Sequence, residues 1–181
     1  MKRLLLILLI PLFLLACGSS EVNLVPYSST NYPVSFQMPE AWAVSDNEDS
    51  ITIASDEALL FSSVAGGARV NLVVTPSQFT GIANATELVE TAVRNFREQD
   101  GAEVIQAVEV VTINTQTAVQ TVLRGQDADG NEIILRYVVI ENLTKNLTAV
   151  VAAAHDANQN SEYGQLMADI VNSIQLGPTF P

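Results

Sequence analysis

Residues 131–155 read NEIILRYVVIENLTKNLTAVVAAAH, and the fold turns on this stretch. Ile133, Leu135, Tyr137 and Val139 alternate along one side of its first half, which is the two-residue period of a strand. The positions between them are also apolar at Ile134, Val138 and Ile140. The second half does the same, with Leu147, Val151 and Ala153 opposite Val150, Ala152 and Ala154. Strands apolar on both sides belong in a sheet that is covered on both faces. Asn142-Leu143-Thr144 joins the halves by a link of hairpin length, which requires antiparallel pairing.

The pattern extends upstream. Glu103 to Ile113 and Ala118 to Gly125 are Val-rich and extended, with Asn114-Thr115-Gln116 as the turn between them. Asp127-Ala128-Asp129-Gly130 is a second hairpin turn, because Asp and Gly tolerate positive φ. Residues 103–155 therefore predict a four-strand meander. A helix precedes it, with Leu88, Val89, Ala92, Val93 and Phe96 on one face and Asp100-Gly101 as its stop. Asn84, three before Glu87, is placed for a capping box. A second helix follows, with Tyr163, Leu166, Met167, Ile170, Val171 and Ile174 as its buried stripe. Shorter strands open the domain at Pro33 to Met38, Ile51 to Ile53 and Arg69 to Thr75. The expected class is α+β, an antiparallel sheet flanked by helices in an α/β/α sandwich.

The chain start carries a separate signal. Met1-Lys2-Arg3 is basic, and Leu4 to Leu15 is an apolar run of 12 residues interrupted only by Pro11. That describes a secretory leader and falls short of the ~20 residues of a membrane-spanning helix. The run ends in Leu14-Leu15-Ala16-Cys17, and Cys17 is the only cysteine. This resembles the lipobox of bacterial lipoproteins, with Leu15 a departure from the usual small residue. The resemblance implies cleavage before Cys17, a covalent diacylglycerol and acyl chain on Cys17, and attachment to a cell or outer membrane on its extracytoplasmic side. At ~0.8 kcal/mol per buried methylene, two or three chains hold stably. Residues 1–16 are thus read as signal peptide, 17–31 as a polar lipidated tether, 32–176 as the folded domain and 177–181 as a tail.

Charge and cysteine usage exclude several functions. The chain has 8 basic and 20 acidic residues, and without Lys2 and Arg3 the formal charge is about −14. That sign argues against nucleic acid as a partner. With Cys17 acylated, the domain has no thiol for a disulfide, a nucleophile or a metal. His155 is the only histidine, beside Asp156, and no Gly-x-Ser-x-Gly elbow accompanies it. A strand-end histidine bonded to a neighbouring group accounts for it, and no catalytic residue is assigned. Asp127, Asp129 and Glu132 are the candidates for a surface calcium contact, although a hairpin turn also accounts for them. No metal or further cofactor is expected.

Tyr32-Pro33-Val34-Ser35-Phe36 followed by Met38-Pro39-Glu40-Ala41-Trp42 is an aromatic strand, a Pro and then a Trp. Together with Asn114-Thr115-Gln116-Thr117-Ala118 and the closing helix Tyr163 to Ile174, the order resembles the PsbP-like family. The resemblance spans roughly residues 32–176. Ala41 and Gln116 stand where that family often has Gly. The resemblance implies an accessory or binding module, usually non-enzymatic, in line with an envelope protein complex or ligand as partner. Trp42, Leu59, Leu60 and Phe61 are the candidate contacts, with a short buried strand as the other reading of residues 58–61. A carboxylate- or His155-dependent hydrolase and a purely structural envelope lipoprotein are the alternatives.

Overall fold

A computed structural model describes residues 22–77 and 85–177. Residues 1–21, which include the apolar run and Cys17, and Asn84 lie outside the described residues. In chain order the elements are β1 (Leu24–Ser28), β2 (Val34–Pro39), β3 (Ala43–Asp46), β4 (Ile51–Ala54), β5 (Ala68–Pro76), α1 (Ala85–Asp100), β6 (Glu103–Ile113), β7 (Gln116–Gln126), β8 (Glu132–Asn142), β9 (Leu147–Asp156), α2 (Asn160–Asn172) and β10 (Gln175–Leu176). Seven strands form one antiparallel sheet in the order β3-β4-β5-β9-β8-β7-β6. The meander read from the sequence is there, and its last strand pairs with β5 from Ala68↔His155 to Pro76↔Leu147. The β6–β7 turn is tighter than the sequence suggests. Asn114 and Thr115 alone form it, at φ 46° and 67°, and Gln116 already pairs with Ile113. Two positive φ angles match the right-handed twist of the strands they join.

The two apolar faces of β8 and β9 are both covered, as their sequence requires. On one face α1 packs Val89 against Val119 and Val139, and Phe96 lies edge-on to Tyr137 at 6.1 Å. On the other, Val138, Ile140 and Val151 meet Met167, Ile170 and Val171 of α2. Gly101, at φ 63°, ends α1 in the left-handed turn that glycine accepts without strain.

A second sheet, β1-β2-β10, shares the α2 side of the core. Val34, Phe36 and Met38 of β2 enter that core. Buried Gln116 ties this layer to the meander: its amide donates to the Ile174 carbonyl at 3.1 Å and accepts from the Leu176 N–H at 2.8 Å. Asn142 adds a bond to the Leu176 carbonyl at 2.7 Å.

The N-terminal boundary corrects the sequence reading. Residues 24–28 are a strand of the domain, not tether, and pair with β2 from Leu24↔Pro39 to Ser28↔Ser35. Pro26 is tolerated because β1 is an edge strand and needs no second partner. The Tyr27 ring packs on Phe36 at 5.1 Å, and its hydroxyl donates to Asp46 at 2.8 Å. Asp46 also accepts from the Thr30 N–H and the Asn31 amide. Burial alone would push the Asp46 carboxyl up, but these hydrogen bonds outweigh it and hold it below the usual range. Burial and the bond to Asp46 push the Tyr27 phenol up.

Residues 57–60 are a single 3-10 turn, not a strand, capped by the Asp56 side chain on the Ala58 N–H.

Candidate functional site

The candidate contacts separate in the structure. Leu60 is buried, Leu59 is half-buried and Phe61 is 79% exposed. Trp42 is half-buried, edge-on to Tyr163 with ring centres 6.3 Å apart, and so plugs the α2 side of the core. Of the four, only Phe61 projects into solvent. Leu59 is positioned by Gly67, where a Cβ would fall 2.4 Å from its Cδ1. The backbone carbonyls of Leu59 and Ser62 both accept from Arg69, which fastens this turn to β5.

Asp127 is occupied by its own hairpin. It accepts from the N–H groups of Asp129 and Asn131, the Asn131 amide and the Ser63 hydroxyl. Burial works against its ionisation, and these bonds prevail, so the carboxyl sits below its usual range. Asp129 is exposed in the turn and Glu132 opens β8. No group of three acidic, His or Cys side chains stands ready for a metal among the described residues.

His155 lies in a cleft that the sequence reading missed. Strand register builds it. Arg124, Ile134 and His155 stand side by side across β7, β8 and β9. One step along the same face, Val122 pairs with Arg136. The start of α2 forms the opposite wall through Asn160, Gly164 and Met167, and Ile105 of β6 stands at the lip. The cavity holds about 320 Å³. No acidic residue is among the described residues that line it, and Glu103 of β6 stands opposite Arg124 at its edge.

Each polar group there has a distinct state. His155 is 3% exposed, and its Nε2 lies 3.1 Å from the Asn160 Oδ1. Its Nδ1 is buried with no hydrogen-bond partner among the described residues. Burial pulls the imidazole below its usual range, and Arg136 adds to this, while Asn160 and Asp156 pull the other way. Arg136 is half-buried and donates to the Gln120 Oε1 at 2.9 Å. Burial pulls its guanidinium down against the attraction of Glu109. Gln120 in turn donates to Glu109 at 2.8 Å, so the arginine is aimed through a neutral amide. Arg124 is exposed and has no hydrogen-bond partner among the described residues. The sequence does carry a signal for this site. Arg136 is a charge inside IILRYVVI, a run that is otherwise apolar on both faces.

No family model and no curated protein matches the chain. Among solved structures, the cyanobacterial PsbP (CyanoP) of Synechocystis sp. PCC 6803 superposes with a TM-score of 0.59 at 18% identity, covering 90% of this chain and 98% of that one. The chain has the PsbP-like fold. The same PsbP-like fold relates it to LpqN of Mycobacterium tuberculosis, described as involved in cell envelope biogenesis, at TM-score 0.60 and 10% identity over 86% of this chain and 91% of that one. The Ran-binding protein Mog1p of Saccharomyces cerevisiae is similar at TM-score 0.57 and 10% identity, over 87% of this chain and 97% of that one. At such identities the fold alone is what is shown to be shared.

Proposed function

We propose that this protein is a lipid-anchored extracytoplasmic module that acts by binding, as an accessory to an envelope complex or as a ligand carrier. The observation that carries the reading is the His155 cleft. It gathers recognition groups, two guanidiniums over an apolar floor, and its imidazole is engaged by the Asn160 amide, not by a hydroxyl or thiol nucleophile. A hydrolase built on His155 needs that imidazole in reach of the group it activates. The shared fold with an envelope-biogenesis protein and a cyanobacterial PsbP supports an accessory role. The anchor rests on residues 1–17, and no described helix is long and apolar enough to cross a membrane.

The test is membrane fractionation with crosslinked capture, comparing the native chain with Cys17→Ala. Membrane residence and partners that both depend on Cys17 support the proposal. A Cys17→Ala chain that stays on the membrane with the same partners overturns the anchor. Turnover of generic ester or glycoside substrates by the native chain, lost in His155→Gln, overturns the non-catalytic reading.

A further inference from the structure

Positive charge is scarce in this protein, and the cleft concentrates it. Six basic residues remain beyond Lys2 and Arg3, against 20 acidic ones. Two of the six, Arg124 and Arg136, line one cavity with the only histidine. Arg69 is taken up by backbone carbonyls, and Arg94 and Arg97 lie on α1 between Glu90 and Glu98.

The two arginines are also under-used. A guanidinium has five N–H donors, and a half-buried one such as Arg136 is costly to leave with few of them filled. Among the described residues half-buried Arg136 makes a single hydrogen bond, and that to a neutral amide. Arg124 makes none among the described residues, although Glu103 stands opposite it on β6. They occupy diagonal positions on paired strands, Arg124 being opposite Ile134 and Arg136 two residues further on. Such positions are ~7–8 Å apart, a gap that two long guanidiniums can close on one anion. Beside them the floor is apolar, with Val122 and Ile134 buried and Ile105 52% exposed at the lip. A volume of about 320 Å³ suits a small molecule.

Resting on the reading of this chain as a binding module, we propose that the cleft takes a small organic anion. Its carboxylate or phosphate sits on Arg124 and Arg136, and a short apolar group lies over Val122, Ile134 and Ile105. Carboxylate and phosphate share the chemistry that a planar guanidinium recognises.

Titration calorimetry at low salt on the full chain in neutral detergent tests this. The probes are butyrate and butyl phosphate, with butylammonium as the charge-reversed control. Saturable binding of one or both anions, and none of butylammonium, is expected, and the tighter probe identifies the head group. Affinity should fall at least about tenfold in Arg124→Gln and in Arg136→Gln, and stay unchanged in Arg94→Gln. Should Arg136→Gln not fold, Arg124→Gln, at an exposed position, decides alone. Absence of saturable binding to the folded wild type overturns the proposal, as does an equal loss in Arg94→Gln. If both anions are silent while Cys17-dependent capture still finds a partner, the ligand class falls and the binding-module reading stands.

Discussion

The Oδ1 of Asn160 lies 3.1 Å from the Nε2 of His155, and the space that allows this is held open by the absence of a side chain at Gly164. A Cβ at Gly164 would fall 2.6 Å from that same oxygen. Glycine inside a helix costs about 1 kcal/mol relative to alanine, and here the contact with His155 gives it a reason. Gly164→Ala alone is expected to be close to neutral in stability, the helix gain being offset by the broken contact. In an Asn160→Ala background the same change should stabilise by about 1 kcal/mol. Urea denaturation of the four chains reads the coupling. Equal effects in both backgrounds would mean that the glycine does not serve Asn160.

The N-terminal boundary makes a second prediction. If residues 17–31 were only a tether, removing residues 18–31 would leave the domain intact. With β1 paired to β2 and Tyr27 stacked on Phe36, the deletion should lower Tm by roughly 6–12 °C, corresponding to about 3 kcal/mol. Tyr27→Phe, which removes only the bond to Asp46, should cost about 1 kcal/mol.

Trp42 and Phe61 should separate packing from contact. Trp42→Ala opens the seam against Tyr163 and is expected to cost about 2 kcal/mol, less than for a fully buried Trp. Phe61→Ser should stay within about 0.5 kcal/mol of wild type. A drop in crosslinked partner with Phe61→Ser at unchanged Tm would assign Phe61 to an interface. A large loss of stability would place it in the fold instead.

Acid should act in two windows. The folded state holds His155 below its ordinary value, so the unfolded chain takes up that proton first. Stability from this group falls as pH drops below about 6.5 and levels off below the folded value. Asp46, Asp127 and Asp156 are also held low, but their reference lies near 3.9. Their stabilisation is complete above that pH and is lost as pH falls through their folded values. A Tm–pH profile should therefore step down twice, and His155→Gln should remove the upper step alone. Arg136 and Asp156 act on the imidazole in opposite directions, so Arg136→Gln should raise the lower end of that step and make the step smaller, with its onset unchanged.

Two-sided apolar strands, a 3.6-residue stripe in each helix and turns rich in Asn, Asp and Gly are enough to place the four-strand meander and its two covers. Those are local periodicities, and each constrains its own segment strongly. Strand β1 was missed because Pro26 and the Ser-rich flank read as loop. Its strand character comes from pairing with β2, which no local pattern records. The 3-10 turn at 57–60 was missed for the same kind of reason, since four residues are too few to show a period.

The cleft marks the division more sharply. His155 and the charge inside IILRYVVI were visible as residues, and the acidic balance of the chain was visible as a count. Their meeting was not. Arg124, Arg136 and His155 come from three strands, and hydrogen-bond register alone sets them side by side. The sequence by itself determined the leader-like start, the antiparallel meander and its need for cover on both faces, because those follow from the order and hydropathy of neighbouring residues. Only the tertiary structure decided which charges share a cleft and which aromatic stays outside. Those outcomes depend on long-range pairing, where a shift of one residue would turn each side chain to the other face.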